Sequence, residues 1–510
     1  MLLADLVAAS TAVTATRSRT AKVAALAKAL AEASPEEAET ATAYLSGVLR
    51  QRRTGLGWRS LVELPPAASA ATLGVAEVHD LFESIASVSG AGSQARRSEL
   101  AGDLFGRATA EEQQYLRGLV TGDLRQGALD GLMLEAVAVA AGVPPASVRR
   151  AAMFAGSTLP VAAAALTSGE EGLAEFTLQV GRPVRPMLAS SASDVTEAFA
   201  KAGSGGLLAV DVKLDGIRVQ VHKREGLVQV FTRSLEEITD RVPEVVEAVA
   251  ALPARSLVLD GEAISLDEHG RPRPFQETGA RTASRLDVAT LRATVPLTSY
   301  FFDLLHLDGE DLVDVPARVR FERLAAALPE ELRVPRMTTA DPAVAEDYFA
   351  GVVAGGHEGV VVKSLEAAYD AGRRGSAWVK VKPRHTLELV VLAVEWGSGR
   401  RRGWLSNIHL GARDPETGGF QMLGKTFKGM TDEILEWQTR RFLELETHRE
   451  GHVVYLRPEQ VVEVAFDGIQ TSPRYPAGMA LRFARVLRYR DDKTAEEADT
   501  VDLVRALHRV

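Results

Sequence analysis

Asp211-Val212-Lys213-Leu214-Asp215-Gly216-Ile217-Arg218 is the stretch on which the reading of this sequence turns. Running into it, Leu208, Val210 and Val212 alternate with polar or small residues, which predicts a strand. Just after it, Val219 and Val221, then Val228 and Val230, flank Lys223-Arg224-Glu225-Gly226 and predict a hairpin. Lys213 therefore closes a strand and precedes an Asp-Gly turn, so its amine is carried on a rigid element. An amine must shed its proton to act as a nucleophile, and burial or neighbouring cations favour the neutral form. Taken alone, Lys-x-Asp-Gly has a plain alternative: a solvated lysine beside an ordinary turn.

Outward from this point the texture of the chain changes twice. Residues 1–180 are rich in Ala, Leu, Glu and Arg, with apolar residues at helical spacing. Val23, Leu26, Ala27 and Leu30 form one such set, and Leu132, Ala136, Val137 and Val139 another. Leu64-Pro65-Pro66, Gly90-Ala91-Gly92 and Val143-Pro144-Pro145 punctuate the helices, so an all-helical domain is expected. Gly181-Arg182-Pro183-Val184-Arg185-Pro186 then reads as an extended linker, because proline fixes its own φ and biases its predecessor away from helix. Residues 181–383 read as an α+β domain. Its strands are expected at Leu257–Leu266, Thr298–Leu305, Val360–Lys363 and Trp378–Lys382, and its helices at Val242–Leu252 and Ala317–Leu328. Residues 384–510 bring short strands at Leu389–Val394, Val453–Tyr455 and Val461–Phe466, and one helix near Thr431–Leu445. That pattern suits a small β-barrel of the oligonucleotide-binding type, with a charged, partly helical tail from Asp491.

Four further motifs follow Lys213 in order: Leu259-Asp260-Gly261-Glu262, Phe301-Phe302-Asp303-Leu304-Leu305, Glu358-Gly359-Val360-Val361-Val362-Lys363 and Trp378-Val379-Lys380-Val381-Lys382. In the last, strand alternation places Trp378, Lys380 and Lys382 on one face, a pair of ammonium groups suited to phosphates. Glu262 and Glu358 are strand carboxylates, which need a hydroxyl, a cation or a metal if buried. Phe302 by itself reads as core. Each taken singly also fits a surface or structural role.

The ordered series resembles the covalent nucleotidyltransferase superfamily of DNA ligases, RNA ligases and mRNA capping enzymes. The layout of nearly the whole chain is similar to the three-domain ATP-dependent DNA ligases of the archaeal and eukaryotic type, which some actinobacteria carry as an accessory enzyme. The resemblance implies a multidomain fold: an all-α DNA-binding domain, an ATP-grasp-like α+β adenylyltransferase domain and a C-terminal OB-fold. It implies Lys213 as the nucleophile that takes AMP from ATP, with Phe302 stacking on adenine and Asp211, where glutamate is usual, facing the base. Arg218, Arg233 and Arg374 would meet ribose and phosphates, and Lys380 and Lys382 the α-phosphate. Glu262 would meet the ribose or Mg2+, and Glu358 the Mg2+. Leu481-Arg482-Phe483-Ala484-Arg485-Val486-Leu487-Arg488-Tyr489-Arg490-Asp491-Asp492-Lys493 is similar to the family's C-terminal motif, with alanine at 484 in place of the common proline. Its basic residues would orient the leaving pyrophosphate, with a hinge at Lys382-Pro383-Arg384. Gly122-Asp123-Leu124-Arg125-Gln126-Gly127-Ala128, Arg400-Arg401-Arg402-Gly403 and Lys425-Thr426-Phe427-Lys428 would contact the DNA backbone. The implied partner is nicked double-stranded DNA, gripped by a monomer. An RNA ligase or GTP-using capping enzyme is the nearest alternative, disfavoured by the long helical region before Lys213. A catalytically silent DNA-binding scaffold is the alternative from outside enzymes.

Composition narrows the classes. The chain has 510 residues, 46% hydrophobic and 25% charged, which excludes global disorder and allows about three domains. With no cysteine there is no thiol catalysis and no cysteine-ligated zinc, which disfavours the NAD-dependent ligases with their four-cysteine module. A net charge of −9 argues against a uniformly cationic nucleic-acid binder, while basic patches remain compatible with it. No targeting or membrane-spanning segment is read from the sequence, and a cytoplasmic location is expected.

Overall fold

The computed structural model describes residues 1–124, 130–203, 205–284, 287–371 and 374–508. The chain forms two compact units. One comprises Met1–Ser190, Lys201–Ala340 and Lys363–Val379, and the other Ser191–Ala200, Asp341–Val362 and Lys380–Val510.

The first unit begins with helices, from Leu3–Ala15 and Arg19–Ala31 through to Pro145–Ala155 and Leu159–Ala174. Leu26, Leu30, Phe82, Leu104, Leu116 and Val137 are fully buried in their shared core. Boundaries follow local chemistry. Before the helix Ala110–Thr121, Thr109 accepts from the N–H of Glu112 and the Glu112 carboxylate accepts from the N–H of Thr109. Gly122, with φ of 70°, ends it. Val139 departs from the expected apolar face and is 60% exposed. It lies two residues, or about 200°, beyond the buried Val137.

The Gly181–Pro186 linker is tied down along its length. The N–H of Gly181 donates to Nδ1 of His222 at 2.9 Å, and Val184 exchanges hydrogen bonds with the side-chain amide of Gln220 at 2.8 and 3.1 Å. Ten strands follow: β1 (Leu188–Ser191), β2 (Leu208–Lys213), β3 (Ile217–Arg224), β4 (Leu227–Thr232), β5 (Ser256–Ile264), β6 (Thr298–Leu307), β7 (Glu310–Asp311), β8 (Arg336–Thr339), β9 (Gly359–Ser364) and β10 (Arg374–Val381). Within the first unit an antiparallel sheet runs β4-β3-β5-β6-β7, and β2 pairs with β8. The β3–β4 turn places Glu225 at φ 50° and Gly226 at φ 88°, the paired left-handed residues that match strand twist in a two-residue hairpin. Val219, Val221, Leu257, Leu259, Phe301 and Leu304 fill the core of this sheet. Val245 and Val249 of the helix Pro243–Ala250 cover it, with Leu324 of the helix Ala317–Ala327.

The second unit holds β11 (His385–Trp396), β12 (Leu405–Arg413), β13 (Phe420–Thr426), β14 (Glu446–Glu450), β15 (Val453–Leu456), β16 (Val461–Phe466), β17 (Gly468–Thr471), β18 (Met479–Arg482) and β19 (Arg485–Arg490). The long strand β11 serves three partners: β16 along its first half, β12 and β15 along its second. The path β13-β12-β11-β15-β14, with β16 on β11 and β19 on β16, does not close on itself. The small barrel expected from the sequence is therefore present as a strand-rich domain with an open sheet. The helix Asp432–Glu444, capped by the Thr431 hydroxyl, packs Leu435 and Phe442 into its core. The tail ends in the helix Val501–His508. Among the described residues no helix is long and apolar enough to cross a membrane.

Candidate active site

Lys213 is the last residue of β2, whose five preceding residues are buried. The strand is pinned on its edge: the N–H of Val212 donates to the carbonyl of Pro335 at 3.0 Å. The half-buried Lys213 has its Nζ 3.5 Å from the carbonyl of Leu214. The following turn needs glycine for space. A Cβ on Gly216 would lie 2.4 Å from the carbonyl oxygen of Ala263 on β5, so no other residue fits there without a shift. That close approach lets the Gly216 N–H donate to Oε1 of Glu262 at 3.2 Å.

Glu262 faces Arg218 across the β3–β5 register. Burial pushes its carboxyl up to about 7, against the opposing pull of the charges on Lys213 and Arg218. Arg218 is held by a bidentate pair with Asp260, Nε–Oδ1 3.0 Å and Nη2–Oδ2 2.6 Å, and donates through Nη1 to the carbonyl of Met187 at 2.7 Å. Asp260 also accepts from the Tyr369 hydroxyl at 2.7 Å. Beside this network the Phe302 and Trp378 rings meet edge to face, centroids 5.7 Å apart, with the Arg218 guanidinium within 6 Å of both. Lys213, Glu262, Arg218 and Phe302 are thus linked in series, Lys213 acting on Glu262, Glu262 facing Arg218, and Arg218 lying 5.5 Å from the Phe302 ring.

Asp211 lies on β2 two residues before Lys213 and is buried. Its carboxylate is engaged by Arg336 and Lys363, the latter at 2.7 Å. Burial works against the charge, but these two cations outweigh it and hold the carboxyl below its ordinary range. Arg233 is exposed in the turn after β4. Arg374 opens β10, and its side chain lies outside the described residues.

Glu358, Lys380 and Lys382 belong to the second unit. Lys382 forms an ion pair with Glu358, and its Nζ donates to Oδ2 of Asp467 at 3.2 Å. Burial disfavours its charge, yet the two carboxylates raise its pKa above the ordinary lysine value. A Cβ on Gly359, at φ 135°, would stand 2.2 Å from the carbonyl of Val381, so the chain just after the acid and the chain just before the base touch backbone to backbone. Among the described residues no three His, Asp or Glu side chains gather into a metal site.

In the C-terminal motif three of the basic residues are engaged locally by carboxylates. Arg488 pairs with Glu463 at 2.6 Å, and Arg490 and Lys493 both pair with Glu388. Phe483 is exposed at φ 55°, with the Lys428 ammonium 5.0 Å from its ring. The clusters at 400–403 and 425–428 adjoin each other, since Arg401 donates to the carbonyl of Phe427 at 2.6 Å. Lys425 is engaged by Glu395. Of the helical-region motif, Gly122, Asp123 and Leu124 are described, and residues 125–128 lie outside the described residues.

Five residues of the site, Asp260, Arg336, Lys363, Tyr369 and Trp378, had no role in the sequence reading. Asp260 had a usable signal, because two-residue alternation puts it on the same strand face as Glu262. Arg336 and Tyr369 had none; they come from segments without a motif.

Comparisons with known proteins address the family of the chain. A family model described as the ATP dependent DNA ligase domain matches residues 186–382, one for the ATP dependent DNA ligase C terminal region matches 401–493, and one for the DNA ligase N terminus matches 59–138. A probable DNA ligase of Nocardioides sp. is 66% identical over 99% of this chain and 99% of its own length. Another, of Beutenbergia cavernae, is 63% identical over 99% of both. The solved structure named Pmar-Lig_PreS3 covers 95% of this chain with 99% of its own at a TM-score of 0.62; at 18% identity that likeness is one of fold. With three family models spread along the chain and full-length relatives in accord, the chain belongs to the ATP-dependent DNA ligases.

Proposed function

We propose that the protein seals 5′-phosphate/3′-hydroxyl nicks in duplex DNA at the expense of ATP, with Lys213 as the residue that carries AMP. The observation that supports this most is the position of Lys213 at the end of a buried strand, with its charge acting on the Glu262 carboxylate, which faces the Asp260-held Arg218 across the β3–β5 register. The lone pair of Nζ attacks the α-phosphorus, a P–N bond forms and pyrophosphate leaves. The AMP then passes to the 5′-phosphate of the nick. The 3′-hydroxyl attacks that phosphate, the phosphodiester bond forms and AMP departs.

Phe302 supplies a face for adenine, and Arg218, preset by Asp260, a donor fork for ribose or phosphate. Arg233, Arg374, Lys380 and Lys382 take the remaining phosphate contacts in this reading, and Asp211 serves the base from its place on β2. Glu262 and Glu358 are the carboxylates that would hold Mg2+. Isolated carboxylates suit that ion, which keeps waters and phosphate oxygens as its other ligands and would neutralise charge as the phosphorus reacts. Positioning and electrostatics do most of the work in such chemistry. Residues 1–180 serve as the duplex-gripping domain, 181–383 as the adenylyltransferase and 384–510 as an OB-type domain. The substrate is nicked duplex DNA and the working form a monomer.

Incubation with α-labelled ATP or GTP, followed by denaturation, tests the reading. Label retained from ATP and lost in Lys213→Ala is the expected result. Full sealing of ordinary nicks by Lys213→Ala with ATP would refute the mechanism.

A further inference from the structure

Arg336 stands directly opposite Asp211 in the antiparallel β2–β8 pairing. Its guanidinium engages two elements of the site at once. Nε donates to Oδ1 of Asp211 at 2.5 Å and Nη2 to Oδ2 at 2.8 Å. The same Nη2 donates to the carbonyl of Phe302 at 2.8 Å. On one side the guanidinium carbon lies 3.4 Å from the centre of the Phe321 ring. The carboxylate of Asp211, 2% exposed, accepts a further bond from Lys363 at 2.7 Å. An ionised carboxylate offers about four acceptor directions, so at least three are taken and the group cannot swing.

These bonds join the strand that ends in Lys213 to the strand that carries Phe302. A guanidinium fork fixes direction as well as charge, which a single ammonium does not. We infer that Arg336 is a positioning residue for the adenosine of ATP: it holds Asp211 and Phe302 at the mutual spacing that the base requires. The inference deepens the ATP reading of this site and rests on it.

The test is the rate of self-labelling across a range of ATP concentrations. It compares the wild type with Arg336→Met, Arg336→Lys, Asp211→Asn and the Asp211→Asn/Arg336→Met double variant. Melting temperature and the fraction labelled at saturating ATP are recorded alongside. Arg336→Met is expected to raise KM for ATP about tenfold while kcat stays within about threefold, the signature of lost binding geometry. Arg336→Lys is expected to regain the wild-type melting temperature and labelled fraction yet keep a raised KM. The double variant is expected to show no higher KM than the worse single variant, because both substitutions break one unit.

Should Arg336→Met fail to fold, Arg336→Lys and Asp211→Asn carry the same comparison. An unchanged KM in folded variants, effects that multiply in the double variant, or full recovery of KM in Arg336→Lys would each overturn the inference. A wild-type chain that takes no label from ATP overturns the ligase reading itself, whereas a labelled wild type with unshifted variants overturns only the role of Arg336.

Discussion

Gly216 and Glu262 are joined by a 3.2 Å hydrogen bond from backbone N–H to carboxylate, so the turn that follows Lys213 is stitched to β5. The bond exists because residue 216 has no side chain. Gly216→Ala would set a Cβ 2.4 Å from the Ala263 oxygen and 2.5 Å from Cγ2 of Ile264. Overpacking of this kind costs about 1–3 kcal/mol. Urea denaturation should show that loss, and self-labelling should fall by more than tenfold, since the displaced turn follows directly on the nucleophile.

Asp260 carries the Arg218 fork and the Tyr369 hydroxyl on one carboxylate, with 1% of its surface exposed. Asp260→Ala would leave the guanidinium enclosed without its counter-charge, a defect worth about 3–5 kcal/mol. Thermal unfolding should detect it, and Asp260→Asn, which keeps one acceptor, should lose less. A variant as stable as the wild type would show that Arg218 finds another anion.

Glu395 gives the chain an acid-sensitive joint in its second unit. Burial raises its pKa, but hydrogen bonds from Lys425, Asn407 at 2.6 Å and His409 at 3.1 Å outweigh it and hold it at about 2. The unfolded chain, with an ordinary glutamate, binds the proton first as pH falls. The stabilisation is therefore complete above about pH 4.5 and is lost as pH drops through 2, about 3 kcal/mol in all. Denaturant titrations of the wild type and Glu395→Gln between pH 2 and 6 should converge at the acid end. A constant gap across that range would contradict this account.

Arg402 is exposed on the loop between β11 and β12. A phosphate contact there adds about one unit to the slope of log binding constant against log salt. Binding of Arg402→Ala to a nicked duplex, followed from low to moderate salt, should show that slope reduced by about one, equally for different DNA sequences. An unchanged slope would remove this loop from the interface.

Periodicity and turn chemistry made most of the frame legible. The hairpin at Glu225-Gly226, the helix capped by Thr431 and the strand Val461–Phe466 all follow from two-residue or helical spacing with a marked end. Lys213, Glu262 and Phe302 were legible because their motifs are local. The rest depended on long-range register. Arg336 meets Asp211 only through the pairing of β8 with β2, 125 residues away in sequence. Asp211 itself was read as facing the base, with nothing in the sequence to announce two cations, one of them buried, on its carboxylate. Val139 shows the opposite limit: an apolar residue near a helical stripe can still face water when it falls between the positions that pack. The open seven-stranded sheet of the second unit was beyond reach because short strands with glycine turns specify neighbours, not closure.

The backbone contact between Gly359 and Val381 has one more consequence. The spacing between an acid and a base is commonly ascribed to the two groups themselves, yet here it is written at a neighbouring position that carries no functional group. Any side chain at 359 would prise apart the segments bearing Glu358 and Lys382 while leaving both residues intact. Sequence drift at this silent position would disarm the pair as surely as replacing either member.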